Sequence, residues 1–235
     1  MGLLQRRTAI ITGASSGIGA GIAKELAKEG ANIVLAARSI DKLAEVEKEI
    51  NEQENGKVLT VQTDVTSKQS FEDLVKKAED RFNHVDILVN NAGQMLSSQV
   101  CSGKVEEWEK MIDVNIKGVL YGIHSVLPSM LERSSGHIIN IASVSGIEVT
   151  KVSTVYSATK FAVRAISVGL EKELAKTGVC VTNISPGMVD TTLGNESSWN
   201  NGRKKLEPKD IAKAVVYAVT QPEYVNVNEI TVRPV

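Results

Sequence analysis

Short β-branched runs alternate along this chain with longer segments of helical period, and that rhythm limits the fold more than any other feature. The runs are "TAIIT", "NIVLAA", "VLTVQT" and "DILVN", then "GHIINIA", "VCVTNIS" and "EITV". Between them lie a helix ending near Glu29, a charged helix, a third helix, and a long helical stretch from about Glu106 to Glu132. The helix of Tyr156 and a last helix near Lys209 to Thr220 complete the series. A strand that returns parallel to its predecessor needs a crossover of a dozen or so residues, which a helix supplies. Such crossovers are right-handed. The pattern therefore predicts an α/β fold: one domain built on a doubly wound parallel sheet of seven strands with helices on both faces. Residues 188–206, "MVDTTLGNESSWNNGRKKL", break the rhythm. A polar loop of that length reads as a lid over a substrate or as a disordered segment.

Composition excludes several classes. The chain has 235 residues and a net charge of −1, with basic residues scattered rather than clustered. No footprint for nucleic acid or for an anionic membrane results. No apolar run approaches the 18 or so residues that cross a bilayer. The N-terminal "MGLLQRRTAIITG" runs into a strand without the apolar region of a signal peptide. A cytoplasmic protein is expected. Cys101 and Cys180 are too far apart for a metal knuckle, and His84, His124 and His137 have no ligand spacing. No metal site is expected, and the histidines read as surface or helix-packing residues.

The first strand leads into "TGASSGIG" and then a helix. Glycines at this turn let the backbone bend tightly and approach a pyrophosphate, whose charge meets the free N–H groups of the helix start. Gly13, Ser15, Ser16, Gly17, Ile18 and Gly19 are the candidate phosphate-binding residues of a Rossmann-like dinucleotide site. The second strand ends "LAARSIDKL", with Arg38 where an acidic residue would hold a ribose 2′-hydroxyl. A guanidinium there can grip a 2′-phosphate through forked, charge-assisted bonds, so NADP is expected over NAD. The alternative is that Arg38 is only a solvated loop residue.

In "YSATK", Tyr156 and Lys160 stand four positions apart on a helix and so share one face. A phenol with a pKa near ~10 needs about 4 kcal/mol of help to ionise near neutrality. An ammonium ~4 Å away supplies about that much at an effective dielectric of about 20. The pair is thus a candidate general acid/base.

With "TGASSGIG", "NNAG", "IASVSG" and "YSATK" in this order, the sequence resembles the short-chain dehydrogenase/reductase family over essentially its whole length. The resemblance implies proton transfer by Tyr156 with Lys160, a catalytic serine at Ser143 with Ser145 as a rival, and a catalytic asparagine at Asn115 holding a relay water. It places Asp64 and Val65 near the adenine and Asn91, Ala92 and Gly93 along the cofactor. Ile184, Pro186, Gly187, Val189 and Thr191 fall against the nicotinamide end. Some NADP-binding members carry a basic residue where this chain has Ser16, which leaves Arg38 as the main phosphate partner. The resemblance implies an NADP-dependent oxidoreductase acting on a small alcohol or carbonyl substrate, assembled as a homodimer or homotetramer through the helices of Asn115 and Tyr156. The alternative is an NADP(H)-binding regulatory protein without turnover. Gln94, Met95, Ser145, Val149, Met188 and Trp199 are candidates for lining the substrate pocket.

Overall fold

The computed structural model describes residues 2–53, 57–191 and 204–235. Seven strands form one sheet: β1 (Thr8–Thr12), β2 (Asn32–Ala37), β3 (Val58–Gln62), β4 (Ile87–Asn90), β5 (Gly136–Ile141), β6 (Val179–Pro186) and β7 (Glu229–Val232). Their order is β3-β2-β1-β4-β5-β6-β7, and each neighbouring pair is parallel. The apolar runs of the sequence follow from this arrangement, because a central strand of a parallel sheet is covered on both faces. Every residue of β1 and of β4 is buried, whereas the edge strand β7 alternates exposed and half-buried.

Among the described residues seven α-helices connect the strands: α1 (Gly17–Lys28), α2 (Ile40–Gln53), α3 (Lys68–Phe82), α4 (Val105–Ile112), α5 (Gly118–Glu132), α6 (Thr154–Glu173) and α7 (Pro208–Val219). On one face Ile22, Leu26, Leu43, Ile50, Ile211 and Val215 from α1, α2 and α7 cover Ile11, Leu35, Val89 and Ile184. On the other, Phe71, Leu74, Val119, Val126, Val163 and Leu170 from α3, α5 and α6 cover Ile10, Val34, Leu88 and Val181. The doubly wound α/β fold expected from the rhythm is the one observed. Helix α7 starts with Pro208 at its first turn, behind a reciprocal cap between Glu207 and Asp210. Proline suits that place because its missing N–H would have had no partner there.

The long helical stretch expected from Glu106 to Glu132 is two helices joined by one π turn, Asp113–Lys117. Such a turn inserts a residue and re-aims the side chains around it, and Asn115 lies within it. Helix α6 is fastened to the sheet by amides. Asn90 and Asn140 are register partners on β4 and β5. The Asn90 Nδ2 donates to Asn140 Oδ1 at 2.9 Å, and Asn140 Nδ2 donates to Ser167 Oγ on α6 at 2.9 Å.

The lid reading falls mostly on residues 192–203, outside the described residues, as does the pocket candidate Trp199. The two ends of that segment meet: Asp190 N donates to Leu206 O at 2.8 Å and Leu206 N to Met188 O at 2.9 Å. The histidine reading needs one correction. His137 lies on β5, and its Nε2 meets Thr182 Oγ1 at 2.8 Å. That hydroxyl spends its proton on Val227 O, at 2.7 Å, so it accepts from the ring, which must carry a proton on Nε2. A strand position with a strand partner was invisible to ligand-spacing arguments.

Candidate active site

The strand order reverses between β1 and β4, and ligands of doubly wound sheets bind at the carboxyl ends of the strands flanking such a point. The glycine loop leaves β1 there. Gly13 and Gly17 have φ of +64° and +54°, a region that favours glycine. At Gly19 a Cβ would lie 2.4 Å from Gly13 O, and at Gly17 one would lie 3.0 Å from Thr191 Cγ2. Helix α1 begins here with Ser16 as N-cap making no side-chain cap bond, and with no acidic residue in its first turn. The first-turn N–H groups, which have no intrahelical acceptor, therefore face a groove that side chains do not fill. This cradle fits a dinucleotide pyrophosphate. Ser15, Ser16, Gly17 and Thr191 also line a cleft of about 580 Å³ running out toward α2 and α7.

Asn91, expected along the cofactor, turns its side chain into the loop: Nδ2 donates to Thr12 O at 2.8 Å and to Gly13 O at 3.3 Å. Thr12 completes the fastening. Its Oγ1 accepts from Asn91 N and Ala92 N, both at 3.0 Å, and donates to Val89 O at 3.2 Å. Thr12 is fully buried and was missed in the sequence; a hydroxyl ending an otherwise apolar strand just before a glycine was the available signal. Val65 and Ala92 line a narrow hollow with Val114 and Gly118.

Arg38 follows β2 and is exposed, and Gln62 Nε2 donates to its carbonyl at 2.9 Å. Among the described residues no hydrogen bond or ion pair ties down its guanidinium. Asp64 lies nearby at the end of β3. Its carboxyl is held below the usual range first by the Thr66 N–H and hydroxyl, and also by the Arg38 charge.

Strand β5 delivers Ser143, which caps a single 3-10 turn, Val144–Gly146, and accepts the Ser145 N–H on its Oγ at 3.1 Å. Helix α6 places Tyr156 and Lys160 beside it, both buried, at 6% and 5% exposure. The Lys160 Nζ donates to Ile141 O at 2.9 Å and lies 5.9 Å from the centre of the Tyr156 ring. Burial lowers the Lys160 amine to about 8. Burial also raises the Tyr156 phenol, and the hydrogen bond from Ser143 opposes that rise. The expectation that Lys160 brings the phenol toward neutrality is not met in the protein alone. Desolvation of the anion dominates, and the amine that should offset it is itself desolvated.

Asn115 is 1% exposed. Its Nδ2 donates to Gln94 O at 2.9 Å and to Thr159 Oγ1 at 3.0 Å, and its Oδ1 accepts from Gln94 N at 2.8 Å. Both amide hydrogens are committed, so the side chain offers a relay water only the second lone pair of Oδ1. Gly93 fills the corner, where a Cβ would be 3.6 Å from both Asn115 Oδ1 and Lys160 Nζ. After β6, Gly187 N donates to Val232 O at 2.7 Å, Pro186 and Val189 are buried, and Thr191 lies against the glycine loop. Ile184 is fully buried in the core facing α1 and α7. Among the described residues no His, Cys, Asp and Glu cluster could hold a metal ion, and no helix is long and apolar enough to cross a membrane.

The family model described as short chain dehydrogenase matches residues 7–201, from the start of β1 through the glycine loop, Ser143, Tyr156 and Thr191. The chain belongs to the short-chain dehydrogenase family. It is an oxidoreductase by that membership. An uncharacterised oxidoreductase of Staphylococcus saprophyticus is 61% identical over 232 residues, 99% of each chain. Among solved short-chain dehydrogenases and their like, an alcohol dehydrogenase from the archaeon Thermococcus sibiricus, complexed with 5-hydroxy-NADP, is 32% identical with a TM-score of 0.89. That match covers 96% of this chain and 95% of the other. The serine dehydrogenase of Escherichia coli is 34% identical with a TM-score of 0.84, covering 96% of both chains.

Proposed function

We propose that this short-chain dehydrogenase is an NADP-dependent oxidoreductase of one domain, acting on a small alcohol or its carbonyl counterpart, with Tyr156 as general acid/base. The observation that carries the reading is the gathering of Ser143, Tyr156, Lys160 and Gly93 at the strand ends next to the glycine loop. Bound NADP supplies the hydride donor or acceptor. In the reductive direction Tyr156 gives its proton to the substrate oxygen, and the burial that raises its pKa keeps it protonated for that task. Ser143 accepts the Ser145 N–H on its oxygen and directs its own proton at the Tyr156 oxygen, from where it can turn to polarise the same carbonyl when substrate lies between the two hydroxyls. Lys160, anchored on Ile141 O, holds a positive charge near the phenol as it ionises. Arg38, whose guanidinium has no hydrogen-bond or ion-pair partner among the described residues, is the candidate for the 2′-phosphate, and a relative complexed with an NADP derivative supports that choice. Cytoplasmic residence and a homodimer or homotetramer belong to the same proposal. Exposed Ile112, Leu120, Phe161 and Val168 on α4, α5 and α6 are the apolar surface that self-association would cover.

The test is a panel of secondary alcohols, hydroxy acids including serine, and the matching carbonyl compounds, followed at ~340 nm with NADPH and NADH. Turnover with NADPH is expected, and Tyr156→Phe should lose at least ~1000-fold in kcat while still binding NADPH. A wild-type protein that binds NADPH but turns over nothing would return the chain to the nucleotide-sensor reading.

A further inference from the structure

We propose that Thr159 is a positioning residue that holds the Gly93–Gln94 segment against the Tyr156–Lys160 face through the side chain of Asn115. The inference rests on the oxidoreductase reading above. Thr159 stands between the two residues of the acid/base pair and is 1% exposed. Its Oγ1 donates to Tyr156 O at 2.7 Å. A hydroxyl has one proton, so toward Asn115 it can only accept. That is the contact observed, with Asn115 Nδ2 at 3.0 Å. The other hydrogen of the amide goes to Gln94 O at 2.9 Å, and Oδ1 takes the Gln94 N–H at 2.8 Å.

Three contacts thereby agree on one orientation of the Asn115 amide. Turning it over would set N–H against N–H at Gln94. A chain of hydrogen bonds, buried from Tyr156 to Asn115 and part-buried at Gln94, runs from the carbonyl of Tyr156 to both backbone groups of Gln94, and it crosses the π turn that puts Asn115 within reach. The segment so held is a wall of the site, because Gly93 lies in the corner between Asn115 and the Lys160 amine. A hydroxyl that only bonded back along its own helix would satisfy itself locally and do nothing for Gln94. The contact with Asn115 is what links helix and wall.

Thr159→Val keeps the shape and removes the hydroxyl, Thr159→Ser keeps the hydroxyl, and Thr159→Cys keeps only a weak donor. We expect Thr159→Ser to stay within ~2-fold of wild type. Thr159→Val and Thr159→Cys should lose ~10–100-fold in kcat, as sub-ångström misplacement does, with the Kd for NADPH changed less than ~3-fold. A Thr159→Val protein with wild-type kcat and only a lower melting temperature would overturn the proposal, as would serine failing to rescue. If Thr159→Val does not fold, full turnover by Thr159→Cys overturns it. If wild type turns over nothing, the oxidoreductase reading has failed, and hydrogen exchange decides Thr159 separately. The Gln94 amide should exchange faster in Thr159→Val or Thr159→Cys and not in Thr159→Ser; equal exchange in all overturns the idea.

Discussion

Tyr156, Lys160 and Arg38 show how little a residue type says without its surroundings. The phenol and amine share a helix face as their spacing requires, yet burial pushes the first up and the second down. Which term wins depends on how much water the fold removes, and no spacing in the sequence carries that quantity. Arg38 is the opposite case: what matters is a guanidinium at the end of β2, and that is legible from position alone. Replacing it with alanine should remove a charge-assisted contact worth about 1.5–3 kcal/mol, weakening NADPH by ~10–100-fold. NADH, lacking the 2′-phosphate, should change less than ~3-fold, and titration of both cofactors by fluorescence checks this. Equal losses for the two would assign the 2′-phosphate elsewhere.

The glycine loop with α1 is the element whose shape shows in its sequence, since glycines between a strand and a helix mark a tight turn and the proposed dinucleotide site rests on it. Its fastening is hidden. Asn91 and Thr12 are distant in sequence, and they meet only because β1 and β4 are neighbours in the sheet. Substituting Gly19 by alanine would put a methyl 2.4 Å from Gly13 O and 2.6 Å from Asn91 Nδ2. Backbone cannot yield cheaply there, so Gly19→Ala should weaken dinucleotide binding by ~100-fold or more. The fold itself should lose only about 1–3 kcal/mol, as overpacking does, and calorimetry beside a cofactor titration separates the two. The π turn belongs to the same scale. Periodicity marks one long helix from Glu106 to Glu132, because a single inserted residue barely disturbs an apolar stripe, yet it is this turn that carries Asn115.

Across the whole molecule, His137 couples folding to pH. Its ring on β5 is half-buried, bonded to Thr182 of β6, and held neutral with a pKa lowered to about 4 from 6.5. The unfolded chain takes up a proton below pH 6.5 that the folded chain refuses until about 4. Stability should therefore be full above pH 6.5, fall through that window and level off below it. The loss attributable to this residue is at most about 3.5 kcal/mol, an upper bound because part of the residue still meets solvent. Urea melts of wild type and His137→Gln should diverge between pH 7 and ~4.5, the variant losing less; parallel curves would show that the ring is not what titrates.

The sheet, its parallel sense, the glycine loop and the shared face of Tyr156 and Lys160 were determined by the sequence alone, because each rests on periodicity or on a short local motif. Strand rhythm requires crossovers, and i and i+4 on a helix meet whatever the rest of the chain does. Only the tertiary structure decided the ties between distant segments: Thr12 to Asn91, Asn115 to Gln94 and Thr159, and His137 to Thr182. Those are hydrogen bonds between buried or part-buried polar groups brought together by packing, and their partners are chosen by which segments the fold sets side by side.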